Sequence, residues 1–451
     1  ESEQDAGWGR VCVFLQRLGK KADSRSLNVA HCDLTATDLL ELATLLHCFP
    51  QLEEMDFSWN DLIGGSLRAL TSHLQHVGGV RTLRLCSCRL NADDITALGE
   101  ALECVPLLEI LDLSWNRGIG GGALQGLLGK LHPPLRELHL VACQLTAADA
   151  AVLGNRENMT CGSRLCVSLR SLSSLRELDL SCNKDLAGGL SHLTGHLSHL
   201  THLESLDLHL CCLTHTDLQA LIQVLPAVSE LTDLDVSSNK EAGGVVHSLV
   251  SALPLTQMKH LPLNSCSLKD ESFTALALAV PYLRSVDVSW CKVVGGRLAL
   301  LLDALQPSVI QELRLSSCQL TTDDLQHLAA VCKRGCLSSL RVLDLSYNGQ
   351  VGDDGWAALF GAGGLGSVED IDLSLRPLTS APCAAWLPRL LCALPGWPAL
   401  ARLAMQRWTP SPQAREQLSH SLTKRNAALH FLLANHKPPH LHPTECTLVA
   451  F

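Results

Sequence analysis

The stretch DLSWNRGIGGG, residues 112–122, has the residue types of a phosphate-binding turn, because a short apolar strand precedes glycines and the apolar run of a helix. Gly118, Gly120 and Ala123 satisfy the spacing G-x-G-x-x-A, a fingerprint of dinucleotide binding. Glycines at this spacing let the backbone approach a pyrophosphate closely, and the N-terminus of the following helix would stabilise its charge. This stretch taken alone would imply a nucleotide-dependent enzyme.

Other residues with catalytic or metal-binding potential form weaker patterns. Cys332 and Cys336 form a C-x-x-x-C pair near His327, but no second pair completes a zinc site. No Ser/His/Asp or Cys/His arrangement of a hydrolase is recognisable, and the histidines are scattered. From these residues we expect no catalytic residues, no metal site, no cofactor and no small-molecule substrate.

The cysteines mark a repeated phrase rather than a disulfide framework. The chain has 20 cysteines in 451 residues, and six of them end phrases such as LRLCSCRL and LRLSSCQL at intervals of roughly two repeat units. These six are Cys32, Cys88, Cys143, Cys211, Cys266 and Cys318. Because neighbouring members would be about 10 Å apart, beyond disulfide reach, we expect them to be reduced and buried.

A second phrase, exemplified by LDLSWN and LDLSYN, alternates with the first and usually ends in asparagine. Its last residues are Asn60, Asn116, Asn183, Asn239, Cys291 and Asn348. Both phrases fit L-x-x-L-x-L-x-x-N/C-x-L, the leucine-rich-repeat signature, with a period of about 28 residues. The leucines at positions 1, 4, 6 and 11 would point into a shared core, and the residue at position 9 would hydrogen-bond buried backbone groups.

The segments between the phrases predict helices, and they explain the glycines. Three helix starts combine an N-cap side chain with a carboxylate three residues later: Thr35 with Asp38, Asn91 with Asp94, and Thr321 with Asp324. In the alternate units a glycine pair takes this place: Gly64-Gly65, Gly120-Gly121, Gly188-Gly189, Gly243-Gly244 and Gly295-Gly296. A pair at the same point of five double repeats indicates close backbone approach rather than five nucleotide sites.

The alternation of two units of about 28 residues, one ending in Cys and one in Asn, resembles the ribonuclease-inhibitor class of leucine-rich-repeat proteins. The resemblance covers about residues 9–410. It implies an α/β solenoid of about 13 repeats, a horseshoe with a parallel β-sheet on its concave face and helices on its convex face. It also implies a non-enzymatic binding or scaffold protein.

The predicted organisation is a single domain with caps at both ends of a repeat array. Residues 1–25 form an N-terminal segment whose residues 9–22 are a capping helix, and residues 26–380 form the repeats. An irregular junction falls near 154–170. Residues 381–425, with Trp386, Trp397 and Trp408, form a C-terminal cap, and a disordered tail follows at 426–451.

Surface positions that the repeat leaves free must carry the function, and an acidic run stands out among them. Positions 3 and 5 of three adjacent strands carry five carboxylates without an interleaved Lys or Arg, whereas Arg84 separates Asp56 from Asp112 earlier in the chain. The five are Glu177, Asp179, Asp207, Asp233 and Asp235, and His209 lies beside them. We expect a binding site here for a basic partner, although aspartate in the phrase LDLS could equally serve local hydrogen bonding. A cation held with His209 and His260 is a further alternative.

Aromatic residues concentrate at position 8, where each strand leaves the sheet. Trp59, Trp115, Trp290 and Tyr347 occupy this position, although aromatics make up only 4% of the chain. They could anchor a binding partner, or their rings could cover the glycine pairs that follow. Both alternatives remain open from the sequence.

Composition bounds the class of protein. With 47% apolar and 18% charged residues the chain can build a large core, and its net charge of −10 includes no basic block. We therefore expect no nucleic acid and no membrane as partners, and a cytoplasmic location with access to the nucleus left open. The predicted function is a scaffold that binds a protein on its concave face. The alternative is an extracellular receptor or matrix-type protein, which would carry disulfide-bonded cysteine clusters at both ends.

Overall fold

The computed structural model describes residues 3–21, 23–154, 172–423 and 428–430. It divides into two compact units, unit 1 at Glu1–Cys291 and unit 2 at Lys292–Phe451. In both units, short parallel strands alternate with helices along the chain. The predicted α/β fold of stacked leucine-rich repeats is confirmed.

Unit 1 contains a parallel sheet of eight strands in sequence order. The strands of unit 1 are β1 Ser26–Asn28, β2 Glu54–Asp56, β3 Thr82–Arg84, β4 Ile110–Asp112, β5 Glu137–His139, β6 Glu177–Asp179, β7 Ser205–Asp207, β8 Asp233–Asp235 and, after a single bridge at His260, β9 Ser285–Asp287. Its helices are α1 Glu3–Arg17, α2 Ala36–Leu45, α3 Arg68–Thr71, α4 Ala92–Ala101, α5 Leu124–Leu128, α6 Ala147–Gly154, α7 Leu190–Leu197, α8 His215–Val224, α9 Val246–Ala252 and α10 Asp270–Ala279.

Unit 2 continues the same alternation. Its strands are β10 Glu312–Arg314, β11 Val342–Asp344, β12 Asp370–Asp372, β13 Ala381–Pro382, β14 Arg402–Ala404, β15 Trp408–Thr409 and β16 Ala428–His430. Its helices are α11 Leu298–Leu302, α12 Thr322–Lys333, α13 Asp353–Phe360, α14 Leu387–Ala393 and α15 Pro412–Thr423. Strands β10, β11, β12, β14 and β16 pair in parallel in that order.

The strand periodicity divides each repeat into a core side and an open side. Most strands have a buried central residue between two half-buried ones, as in β4, where Leu111 is 0% exposed. Successive strand side chains point to opposite faces, so positions 4 and 6 face the helices while positions 3, 5 and 7 face outward. We call the outward side of the unit 1 sheet the strand face.

Asparagine at position 9 joins each repeat to the one before it. The Asn116 Oδ1 atom accepts hydrogen bonds from the backbone N–H groups of Cys88 and Leu90, at 3.0 and 2.9 Å. Its Nδ2 atom lies 2.8 Å from the carbonyl oxygens of Leu85 and Leu113. Asn60, Asn183, Asn239 and Asn348 are also at most 2% exposed and donate to the same pair of carbonyl positions. One side chain thus satisfies buried backbone groups in two repeats.

Cysteine at position 9 plays a smaller part. The Cys88 thiol donates to the Phe57 carbonyl oxygen at 3.2 Å, and Cys143, Cys211 and Cys266 make the same contact with the preceding repeat. All seventeen cysteines in the described ranges are free. The expected burial is found at every repeat cysteine except Cys32, which is half-buried because it belongs to the first repeat of the stack.

The predicted helix caps are confirmed, and their carboxylates do more than cap their own helices. Thr35, Asn91 and Thr321 each accept the N3 backbone N–H in a full capping box. In the second of these, Asp94 also accepts from the backbone N–H groups of Gly65 and Leu67 in the preceding repeat, at 2.7 and 3.0 Å. Its side chain therefore fastens two successive strand-to-helix connections together.

A carboxylate from the next repeat also occupies the glycine turn that resembles a phosphate site. The backbone N–H groups of Gly121 and Gly122 point at the carboxylate of Asp149, 2.9 and 2.6 Å away, and Asp149 is fully buried. A Cβ atom added to Gly120 would lie 2.0 Å from the Gln144 carbonyl oxygen. The glycines are thus required by close backbone packing, and the anion that they receive is a side chain of this chain.

The chain ends are closed by apolar side chains. At the start, α1 buries Val11 and Leu15, and it spans Glu3–Arg17 rather than the predicted 9–22. In unit 2, Trp386, Trp397 and Trp408 pack with Trp356 and Phe360 in one aromatic cluster.

Parallel pairing continues beyond residue 380, the predicted end of the repeats, through β14 and β16. Residues 428–430 of the expected disordered tail therefore form a strand, because their backbone completes the free edge of β14. The rest of that tail and the predicted junction near 154–170 lie outside the described residues. The last position 9 within the described residues is Trp408, whose indole N–H donates to the Leu373 carbonyl oxygen at 2.7 Å.

The packing around Gly120 makes a direct test of the glycine assignment. Gly120→Ala should lower the free energy of unfolding by about 3 kcal/mol, because the new methyl group meets a backbone carbonyl that cannot move aside. Gly126→Ala, in the neighbouring helix α5, is the matched control, since its added Cβ has nothing within 4 Å. That variant should be neutral or slightly stabilising. Chemical denaturation measures both, and micromolar binding of ATP or NAD by calorimetry would contradict the assignment.

Candidate functional site

The five predicted carboxylates lie together on the strand face of unit 1. In the parallel register, Asp179 stands opposite Asp207, and Asp207 stands opposite Asp235. Glu177 and Asp233 flank Ser205 one pleat away. Since neighbouring strands are about 4.8 Å apart, the carboxyl groups form a continuous row. We call these five residues, Glu177, Asp179, Asp207, Asp233 and Asp235, the acidic ladder.

Each position 5 aspartate of the ladder has a local structural task. One carboxylate oxygen accepts the backbone N–H two residues ahead: Ser181 at 2.9 Å for Asp179, His209 at 2.8 Å for Asp207, and Ser237 at 2.8 Å for Asp235. The alternative of local hydrogen bonding is thus correct for one oxygen of each. The task needs no charge, because the amide oxygen of Asn28 does the same at 3.1 Å in the first strand.

Aspartates elsewhere on the sheets stand beside arginine. Arg84 lies opposite both Asp56 and Asp112 in the register of unit 1. In unit 2, the Arg402 guanidinium pairs with Asp370 at 2.7 Å and Asp372 at 3.1 Å. No strand residue of β5 to β8 is Lys or Arg. The ladder is therefore a row of carboxylates on strands that lack the arginine found beside aspartates elsewhere in the fold.

A histidine that the sequence analysis did not single out borders the ladder. His139 on β5 lies 3.4 Å from Glu137, 3.9 Å from Glu177 and 4.0 Å from Asp179. Burial alone would lower its pKa, but the hydrogen bond with Asp179 and the neighbouring charges of Asp112 and Glu177 raise the pKa of His139 to about 9. The protonated imidazole is the cation at one end of the row, and only the strand register reveals this contact.

The carboxylates at the centre of the ladder hold protons unusually tightly. Burial, followed by the charges of Asp235 and Asp179, raises the pKa of Asp207 to about 8. Burial also raises the pKa values of Asp235 and Glu177. A carboxylate in this row is therefore costly to ionise unless a cation approaches it.

The two other histidines near the ladder make polar contacts of their own. His209 Nδ1 lies 2.7 Å from Ser237 Oγ, so this side chain stands next to the centre of the row as expected. His260 Nε2 lies 3.7 Å from Asp233 Oδ1 at the far side. The group whose ligand atoms come within 4.8 Å of one another is instead Glu137, His139 and Glu177. His209 and His260 thus do not form the metal-ligand cluster that the cation alternative required.

The aromatic residues of position 8 share an unusual backbone conformation. Trp59, Trp115 and Trp290 each have a φ of 63°, and Tyr347 in unit 2 has a φ of 60°. This left-handed region is rare for bulky residues and costs on the order of 1 kcal/mol. The Trp59 ring stacks on His31 with centroids 5.3 Å apart, while Trp290 is 51% exposed.

The contacts around the glycine pairs show whether the position 8 aromatic rings cover these glycines. The atoms nearest to a Cβ added at Gly64 or Gly120 are backbone carbonyls rather than rings. Trp59, Trp115 and Trp290 therefore form an aromatic rim along unit 1, with Tyr347 at the equivalent position of unit 2.

The remaining cysteine candidate does not assemble. Cys332 is buried in α12, whereas His327 Nε2 lies 2.9 Å from Asp303 Oδ1. Burial raises the pKa of Cys332 to about 12, which disfavours the thiolate that a metal would need. In the described part of the chain, no helix combines the length and apolarity needed to cross a membrane.

Strands of three residues, helices on the opposite side and an asparagine that bonds two repeats define a leucine-rich-repeat protein. The leucine-rich-repeat family model matches residues 106–128, 171–188, 199–221 and 336–360. A chain in the crystal structure of the Rad7 and Elc1 complex in yeast is similar in fold, with a TM-score of 0.51 and 14% identity over 94% of this chain and 92% of that one.

Sequence comparison narrows the class further. The ribonuclease inhibitor of Sus scrofa is 31% identical over 386 residues, which cover 83% of this chain and 80% of the inhibitor. The ribonuclease inhibitor of Mus musculus is 30% identical over 339 residues, covering 72% and 71%. The chain therefore belongs to the ribonuclease-inhibitor family of leucine-rich-repeat proteins, in agreement with the resemblance of its alternating units.

The raised pKa of Asp207 predicts how stability varies with pH. Because a carboxyl in the unfolded chain titrates near pH 4, the folded state alone holds this proton between about pH 4 and pH 8, and stability falls as the pH rises through that window. Asp207→Asn keeps the hydrogen bond to His209 and removes the titration. The variant should match the wild type at about pH 4 and exceed its unfolding free energy by about 1–2 kcal/mol at about pH 8.

Denaturant unfolding at the two pH values measures the difference in unfolding free energy between wild type and variant. The titration of His139 cancels from this difference because both proteins contain that histidine. Asp56→Asn is the control, because it removes a carboxylate that stands opposite Arg84. That variant should not gain stability at about pH 8. If the unfolding free energies of the wild type and Asp207→Asn differ by the same amount at both pH values, the raised pKa of Asp207 is contradicted.

Proposed function

We propose that this protein is a non-enzymatic scaffold that binds a protein partner, and that the acidic ladder receives a basic segment of that partner. The observation that supports this proposal is the row of Asp179, Asp207 and Asp235 across three neighbouring strands that carry no Lys or Arg. The relatives support a binding role, since two of them are named as inhibitors of a ribonuclease and the yeast neighbour is part of a two-protein complex.

The arrangement of oxygens suits a cationic side chain. Within the described residues, Asp207 accepts a single hydrogen bond, from its own turn, so its second oxygen remains for a ligand. The side chain is half-buried, and a partner that covers it excludes water and strengthens the attraction. A Lys or Arg placed over Asp207 would also lie within reach of the flanking carboxylates. Complementary charges across an interface increase the specificity and the rate of association.

Protons are coupled to such binding. A partner cation stabilises the ionised form of Asp207 and so lowers its pKa from about 8, and the proton leaves when the partner arrives. Binding that releases a proton becomes tighter as the pH rises. The affinity for a basic partner therefore increases between about pH 6 and pH 8, even though the unbound protein becomes less stable over the same range.

The aromatic rim supplies a second type of contact to the same proposal. Trp290 is half exposed, so part of its ring can contact a partner. Large aromatic side chains commonly dominate the energy of protein interfaces. The rim and the ladder thus offer apolar anchors and charge to one partner.

The state of the cysteines supports a location inside the cell. All seventeen described cysteines are free, and they are distributed along the repeats rather than paired at the two ends. Intracellular thiols remain reduced, whereas extracellular domains usually use disulfides. The proposal therefore places the scaffold in the cytoplasm rather than among receptor or matrix proteins.

The triple variant Asp179→Asn, Asp207→Asn and Asp235→Asn tests the ladder. It should fold, because amide oxygens can accept the same backbone hydrogen bonds, as Asn28 does. Its affinity for an oligolysine peptide should fall about tenfold or more, and binding by the wild type should weaken as salt rises. Fluorescence anisotropy with labelled peptide measures both effects.

A second triple variant removes the same number of carboxyl groups from the same repeat position. Asp56→Asn, Asp112→Asn and Asp287→Asn alter aspartates outside the ladder and should leave most of the peptide affinity intact. Equal losses in the two triple variants would show attraction to overall charge and overturn the assignment. The cellular partner, isolated by affinity purification with the full chain, should then discriminate between the same two variants.

A further inference from the structure

A polar pocket in unit 2 lies where the repeat pattern breaks. Its volume is about 320 Å³, and its lining includes Gln319, Tyr347, Gln350, Arg376 and Thr379. The break is at Arg376, which occupies position 9 of its repeat, where other repeats turn Asn or Cys into the core. Here the preceding residue, Leu375, is buried and Arg376 is exposed.

The guanidinium of Arg376 is held across the pocket. Its Nη2 atom donates to Ser317 Oγ at 2.7 Å, although Ser317 lies in the turn after β10, two repeats earlier. Its main chain is fixed by a tight turn, because the Arg376 carbonyl oxygen accepts from both the N–H and the hydroxyl of Thr379, each at 2.9 Å. Pro377 follows directly and restricts the turn further. The arginine is therefore oriented before any ligand arrives.

This arginine has no carboxylate of its own. Among the residues that the structure describes, Arg376 forms no ion pair with any Asp or Glu, within the 4.0 Å that defines one. The aspartates of β12, the strand of the same repeat, are already engaged, since Asp370 and Asp372 pair with Arg402. An arginine offers planar pairs of N–H groups that match a carboxylate. Within the described residues, the Arg376 guanidinium has one side-chain acceptor, the Ser317 hydroxyl.

The turn that lines the pocket also exposes one apolar side chain. Leu378, the third residue of the Arg376 turn, is 100% exposed, although large apolar side chains are otherwise mostly buried in the described chain. Tyr347 lines the pocket next to it, with a partly buried ring. A fixed cation, an aromatic wall and an exposed leucine together match a ligand that carries a carboxylate beside an apolar group.

We propose that this pocket binds an acidic side chain of a protein partner, with the carboxylate on Arg376 and an adjacent apolar side chain on Leu378. The site differs from the acidic ladder in location and in the sign of its charge. The partner segment that fits this pocket is extended and contains an Asp or Glu directly before or after an apolar residue. The pocket does not depend on the proposed role of the ladder.

A random peptide library displayed on phage, selected on the full chain and counter-selected on Arg376→Gln, tests the proposal. The peptides that require Arg376 should share one Asp or Glu next to an apolar residue. Exchange of that Glu for Gln in a synthetic peptide, or of Arg376 for Gln in the protein, should each lower the affinity about tenfold. The two losses should not add when combined, because both remove the same contact.

Matched variants separate this contact from general charge and from folding. Arg389→Gln removes an exposed arginine of α14 in the same unit and should leave the affinity unchanged. Ser317→Ala keeps the charge of Arg376 but removes its orienting hydrogen bond, so the affinity should fall by a smaller factor. The ladder triple variant should bind the selected peptide as the wild type does, which keeps this proposal independent of the first.

Three results would overturn the pocket proposal. They are selected peptides without a shared acidic residue, equal losses in Arg376→Gln and Arg389→Gln, and additive losses in the combined exchange. Thermal unfolding of Arg376→Gln should remain at the wild-type temperature, since the side chain is exposed. Should that variant unfold early, Ser317→Ala and the Gln-substituted peptide provide the same comparison in a folded protein.

Discussion

Between successive repeats, backbone N–H and C=O groups are enclosed where water cannot reach them, and a single asparagine side chain satisfies four of them at once. Asn116 shows the full pattern, with two accepted and two short donated hydrogen bonds that join its own repeat to the one before. An unmade bond at such a site costs more than a made bond gains, so the stack depends on this residue. Where Cys291 replaces it, the N–H groups of Cys266 and Leu268 turn to carbonyls of their own loop.

The sequence predicted those features that recur with the repeat, because each position imposes the same physical demand in every unit. The position 9 residues, the capping boxes and the close approach at Gly120 follow from that periodicity. It could not predict that Asp149 would fill the glycine turn, since this carboxylate caps a helix in the next repeat. The neighbour His139 was missed because strand register, rather than spacing along the chain, brings it to Asp179.

The strand face shows how one residue type can serve structure and binding together. The aspartate of the phrase LDLS fastens its own turn through one oxygen wherever it occurs, so its presence alone says little about function. What distinguishes the stretch from Asp179 to Asp235 is the absence of Lys and Arg from its strands, together with the burial that raises the pKa of Asp207. The hydrogen bond stabilises the fold, and the row of carboxyl groups without a neighbouring Lys or Arg distinguishes this surface.

Trp408 at the last position 9 has a consequence for how the array terminates. Asparagine both donates and accepts, whereas an indole only donates, so Trp408 donates to Leu373 of the preceding repeat but offers no acceptor to that repeat. The N–H groups of Arg376 and Leu378 correspond to those that Asn116 receives from Cys88 and Leu90. Because no side-chain acceptor is available for these two N–H groups, the loop gains no hydrogen bonds by turning into the core. The chain therefore leaves the repeat path and is exposed to water. A donor-only side chain at position 9 thus releases the loop of the repeat before it, and that loop is a surface on which new specificity can arise.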